Sequence, residues 1–179
     1  VLSVGLLGIP GWQAATSKHN ITTWVRSASA ALISDFSERV RINPEVAGTS
    51  FASSGVVSSS AYALSSTWTT QQADNLAITK NCETSVCTPA ERAEFDLLVW
   101  RQLVREKMPQ GAAHIEGNLR NGFLVTMMWF DKENYDKDKV LQAAPVCSGT
   151  ETGMAQQSCC PQAVSAPDGV RCTRFSFVP

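Results

Sequence analysis

The sequence predicts an α+β domain in which a long N-terminal helix packs on an antiparallel sheet, with a second helix in the middle of the chain and a C-terminal region held by disulfides. Three observations predict it. Apolar residues recur at helical spacing from Ile21 to Val40 and again from Ala93 to Val104. After Gly111 the period changes to short strand-like runs. All the cysteines lie beyond the first helix, and they form an even set of six.

At 179 residues the chain is read as a single domain, 1–179, with enough length for a real core. A net charge of −1 leaves no basic footprint, so no nucleic-acid partner is expected. Apolar residues make up 44% and recur in patterned runs, which argues against a disordered chain.

The first segment, 1–43, opens as VLSVGLLGIPGW, which carries no charge; Lys18 is the first charged side chain. A helix through the whole segment would be about 65 Å long, more than a small domain can cover. Its start is therefore expected to enter lipid or other subunits, with Val1, Leu2, Val4, Leu6, Leu7, Ile9, Pro10 and Trp12 as the membrane and assembly interface. The run is too short to span a bilayer as it stands, since about 20 apolar residues are needed. It also lacks the basic start and cleavage site of a secretory signal, so residues 1–12 read as the end of a longer apolar segment; a buried core helix is the alternative. Pro10, among Gly5, Gly8 and Gly11, predicts a kink or a melted turn. From there Ile21, Val25, Ala28, Leu32, Phe36 and Val40 form one stripe, predicted to pack on the sheet. Asp35 and Arg39 are placed for an i,i+4 ion pair, and Asn43-Pro44 ends the helix.

Residues 45–81 are rich in Ser, Thr, Ala and Gly and read as a long ordered loop with one short helix or strand, docked through Val56, Val57, Tyr62, Leu64 and Trp68; a flexible linker is the rival reading. Thr88-Pro89-Ala90-Glu91 is a helix start, with Thr as N-cap, Pro in the first turn and Glu closing a capping box. The second helix is predicted over 89–107, with Ala93, Leu97, Trp100 and Val104 inward. Cys82 and Cys87, just before it, are expected to bond across a tight loop.

The region 112–179 is predicted to hold the sheet and the disulfide-held tail. Ala113–Glu116 and Phe123–Phe130 read as strands of a hairpin, with Asn121-Gly122 as the turn signal. The charged run Asp131–Lys139 reads as a solvated turn. Val170–Val178 alternates as a last strand, and its Phe175/Phe177 face is the expected core side. Adjacent Cys159 and Cys160 are expected to pair elsewhere, with Cys147 and Cys172 as the available partners and the connectivity open.

No catalytic signature emerges. The chain has no Gly-x-Ser-x-Gly elbow and no phosphate-cradling glycine loop, and its two histidines, His19 and His114, read as structural or merely exposed. Metal and cofactor sites are not expected. Asn20-Ile21-Thr22 fits a glycosylation sequon but falls inside the predicted helix. The pattern points to an assembling or binding protein.

The stretch VLSVGLLGIPGWQAA…SASAALISDFSERVRINP resembles the N-terminal helix of type IV pilus minor pilins of the PilV type, and CTPAERAEFDLLVWRQLV is similar to the segment that follows the loop in that group. The resemblance implies the pilin fold, a long helix on a sheet of about four strands, with Pro10 as the helix-breaking proline. It also implies a leader removed by a peptidase that N-methylates the new end; neither the cut site nor the docking glutamate stands in these residues. The implied function is non-enzymatic: a fibre subunit that helps prime pilus assembly and sits in the tip complex, supporting twitching motility and adhesion. Its partners would be other minor pilins, the major pilin and a large tip adhesin. Its place would be the inner membrane as a single-pass protein with a periplasmic domain, then the extracellular pilus. A minor pseudopilin of a type II secretion system is one alternative, and a secreted disulfide-stapled adhesin or binding domain is another.

Overall fold

The computed structural model describes residues 9–48, 50–52, 55–57 and 59–179. Its spine is helix α1, Ile9–Ile42, 34 residues and about 51 Å long. The stripe on α1 that enters the core is Val25, Ser29, Leu32, Ile33, Phe36 and Val40. Ala28 is only half-buried, because the helical drift brings Ser29 inward; there its hydroxyl donates to the Val25 carbonyl at 2.8 Å. Ile21 lies on α1 with its packing outside the described residues. Asp35 and Arg39 form the expected pair at 2.8 Å, and the helix stops one residue before Asn43.

No helix among the described residues is long and apolar enough to cross a membrane. This overturns the expected single-pass inner-membrane placement. The physical reason is composition: α1 is long but amphipathic, and it carries Lys18, Arg26, Asp35, Glu38, Arg39 and Arg41. Val1, Leu2, Val4, Leu6 and Leu7 lie outside the described residues. Ile9, Pro10 and Trp12 fall at the described start of α1, so the kink expected at Pro10 lies at that boundary.

Residues 45–81 are more structured than expected. A 3-10 turn at Pro44–Val46 leads to a two-stranded ribbon of β1 (Ser50–Ala52) and β2 (Gly55–Val57) and then to helix α2 (Trp68–Ala73). Tyr62 and Trp68 are buried as predicted. Helix α3, Pro89–Lys107, matches the predicted range. Its capping box is complete: Thr88 Oγ1 accepts from the Glu91 amide at 3.3 Å, and the Thr88 amide donates to Glu91 Oε2 at 2.8 Å. Lys80 lies 2.8 Å from the same carboxylate and, with the Thr88 amide, holds its pKa down at about 2.

The main sheet runs β3 (Ala112–Asn118), β4 (Gly122–Phe130) and β5 (Val170–Phe177), antiparallel in that order. It has three strands among the described residues, where about four were expected. The fourth position, along the outer edge of β3, is filled piecemeal. Leu64 makes a single bridge with Ile115, and the Gln71 side-chain amide stands in for a strand residue, accepting from the Ala113 amide at 3.2 Å and donating to its carbonyl at 2.8 Å. No strand continues past Leu64 because Thr67 caps α2 through the Thr70 amide. In the β3–β4 hairpin Gly117 has φ +105°, and a Cβ there would collide with the Gly122 carbonyl oxygen.

Both faces of the sheet are covered. On one, α1 and α3 bury Phe36, Val40, Ala93, Trp100 and Val104 against Ile115, Phe123, Val125 and Met127, with Phe175 and Phe177 at the margin. On the other, Ala112, Met128, Val170 and Cys172 pack with Trp68, Cys160 and Val164. β5 thus uses both faces, where the sequence pointed to one. Central β4 is buried on both sides for most of its length, which explains the near-continuous apolar run FLVTMMWF. The charged turn after β4 is solvated at its tip but anchored by buried Asp131 and Asn134.

Candidate functional site

An apolar groove lies between α1 and α3. It has a volume of about 360 Å³ and is lined by Trp24, Ser27, Ala28, Ala31 and Leu32 of α1 and by Leu103 of α3, with Asp35 and Lys107 at its rim. Trp24 is 53% exposed. The small side chains Ser27, Ala28 and Ala31 on the α1 wall, flanked by the Trp24 indole, would let a second helix approach α1 closely. Sequence reading missed this surface. Trp24, Ser27, Ala28 and Ala31 do follow helical steps of three and four, but the apolar stripe beside them is stronger.

Below the groove, a polar cluster locks α1 to α3 and to the loop. The Tyr62 hydroxyl donates to Asp96 Oδ2 at 3.0 Å and accepts from Asn43 Nδ2 at 3.0 Å. Arg39 reaches Asp96 Oδ1 at 3.3 Å, and Asn43 also donates to the Pro89 carbonyl at 2.8 Å. Asp96 is 2% exposed. Burial raises its pKa, against the opposing hydrogen bond from Tyr62 and the charges of Arg39 and Arg92. Burial also raises that of Tyr62, which therefore stays protonated as the donor.

The sign of the Asp96 effect is testable. A carboxyl whose folded pKa is raised binds its proton more tightly in the native state, so its stabilising contribution is present below the unfolded value of about 3.9 and is lost as pH rises through the folded pKa. Asp96→Asn keeps an acceptor for Tyr62 and cannot ionise. Its stability is expected to gain on the parent chain as pH rises from about 4 towards neutrality. Urea unfolding at a series of pH values checks this, and parallel profiles for the two chains would refute it.

The tail braces the far side of the sheet. Three disulfides are present, Cys82–Cys87, Cys147–Cys159 and Cys160–Cys172, so the first pairing is as expected and the open connectivity is resolved. Helix α4 (Gly153–Ser158) lies inside the Cys147–Cys159 loop and packs on β5. Arg174 donates to the Gln156 carbonyl at 3.3 Å and lies 3.6 Å from both Cys147 Sγ and Cys159 Sγ. His114, Thr126 and Arg174 form one row across β3, β4 and β5. His114 is buried, its Nε2 lies 3.4 Å from Glu116 Oε1, and its Nδ1 has no partner. No group of three or more His, Cys, Asp or Glu that could hold a metal occurs among the described residues.

No protein-family model, curated protein or solved structure matches this chain. The functional reading therefore rests on the geometry above and on the resemblance in the sequence.

Of the residues singled out from sequence, the structure gathers Val25, Leu32, Phe36 and Val40 into the core with Tyr62, Trp100 and Val104. It joins Cys159 and Cys160 to opposite partners, and it leaves Ala28 in the groove rather than beneath it. The Tyr62–Asp96–Arg39 cluster had no local signal, because its members lie 34 and 57 residues apart in sequence.

Proposed function

We propose that this chain is a minor pilin of a type IV pilus: a non-enzymatic fibre subunit that helps prime assembly, sits in the tip complex and supports twitching motility and adhesion. The observation that carries the reading is the use of α1. The helix is 34 residues long, and Val25, Leu32, Ile33, Phe36 and Val40 along it enter the core. That stretch is the spine of an α+β head, which suits a subunit that meets its neighbours through helix and head together. The groove beside Trp24 adds an apolar surface on α1, and the three disulfides brace a head exposed to an oxidising medium. Other pilins are the partners this surface would meet.

The test is genetic and biochemical. Deleting the gene is expected to reduce the number of surface fibres, and mass spectrometry of sheared fibres is expected to detect the chain at far below the level of the major subunit. Fibres of unchanged number that contain none of this chain would refute the reading.

A further inference from the structure

A second, smaller cleft lies at the outer edge of β5, away from the α1–α3 groove. It encloses about 200 Å³, and its polar lining includes Arg26 of α1, Arg171 of β5, Trp129 of β4, Ser158 at the end of α4 and Asp131. Three separate parts of the fold bring these groups together: α1, the paired strands on which Trp129 and Arg171 stand opposite one another, and the disulfide-held tail.

The cleft holds more cationic donors than anionic acceptors. Neither Arg26 nor Arg171 has a carboxylate partner among the described residues, so both guanidiniums are open to a ligand. Trp129 is only 4% exposed, and its Nε1–H has no acceptor. Buried donors are ordinarily satisfied, so an indole N–H left open beside a lined cleft points to an acceptor that arrives from outside the chain. Asp131 does not serve as that acceptor; its Oδ1 takes the Glu133 amide at 3.1 Å and shapes the turn after β4.

We propose that this cleft binds a carboxylate. The guanidiniums offer planar, paired N–H groups that match a carboxylate's two oxygens, and the indole N–H supplies a single donor; the Ser158 hydroxyl is already spent on the Met154 carbonyl at 2.8 Å. Charge selects among oxyanions. Two arginines and one aspartate leave a net single positive charge at the cleft, which a monoanion neutralises. A phosphate dianion would overshoot and face Asp131. The carboxylate is supplied either by a small free acid or by a chain end, and the volume admits the head group of both.

Solution NMR of the 15N-labelled full chain tests this. The probes are sodium acetate for the bare group, N-acetylglycine for a chain end, and inorganic phosphate as the control. Trp129→Phe identifies the indole resonance by its loss. A saturable shift of that resonance with acetate, N-acetylglycine or both is the expected result, and which of them binds names the source. Arg26→Gln, on the exposed side of α1, and Arg171→Gln are each expected to weaken binding by about tenfold or more, the effect of losing one charge-assisted hydrogen bond. The remaining indole resonances report that each variant is folded. No saturable shift with either carboxylate, phosphate binding as tightly as the carboxylates, or wild-type affinity in Arg26→Gln and Arg171→Gln would overturn the proposal.

Discussion

Phe36→Ala is expected to lower the stability of the domain by about 4 kcal/mol, within the range for removing a buried ring. Phe36 is fully buried, and its ring centroid lies 4.8 Å from that of Trp100, 5.9 Å from Tyr62, 6.4 Å from Phe123 and 5.9 Å from Phe177. Those rings belong to α3, to the loop before α2, to β4 and to β5. One side chain therefore joins the spine helix to every layer on its side of the sheet. The surroundings cannot collapse into the space easily. Trp100 is tied by its indole N–H to the Leu32 carbonyl at 2.8 Å, and Tyr62 is held by Asn43 and Asp96. Both the lost transfer energy and the cavity therefore count. Urea unfolding at neutral pH should show a lower midpoint at an unchanged slope. A loss below about 1 kcal/mol would mean that the ring cluster is not the joint between layers.

Removing the inner cystine, as Cys160→Ala/Cys172→Ala, is expected to cost about 3 kcal/mol from the opened loop, with a further loss from packing. The bond has a sequence separation of 12 and ties the tail to β5 inside the second core, where Cys160 and Cys172 meet Trp68, Met128, Val164 and Val170. Cys147–Cys159 has the same separation of 12 but closes its loop within the tail itself. The chain-entropy contributions of the two bonds should therefore match, and the difference between the two deletions isolates the packing. Thermal melts of the two double variants are expected to rank the inner deletion as the more severe. Equal losses would show that burial of the inner bond adds nothing.

Much of this architecture was legible locally. The α3 start could be read to the residue because Thr88, Pro89 and Glu91 act on backbone groups within one turn. The hairpin and the last strand followed from period, and the tight Cys82–Cys87 pairing from separation alone. The α1 stripe was nearly right, and its error at Ala28 reflects the small angle between one edge of a helical face and the next. That the sheet would have three strands among the described residues was not legible. Nothing in the sequence says that one amide, Gln71, would satisfy both backbone groups of Ala113 in place of a strand.

The groove and the cleft belong to a further level. Trp24 and Leu103 meet only because α1 and α3 pack side by side, and Arg26, Trp129, Arg171 and Ser158 converge only because the tail is stapled back along β5.

By itself the sequence determined the α+β class, the order of its elements and the residues that seek the core, because these follow from hydrophobic period and from capping within a few residues. Tertiary structure alone decided which cysteines pair, how both faces of the sheet are covered and which polar groups meet. Each of those depends on groups brought together from far apart in the chain, and loop closure leaves no mark in local pattern.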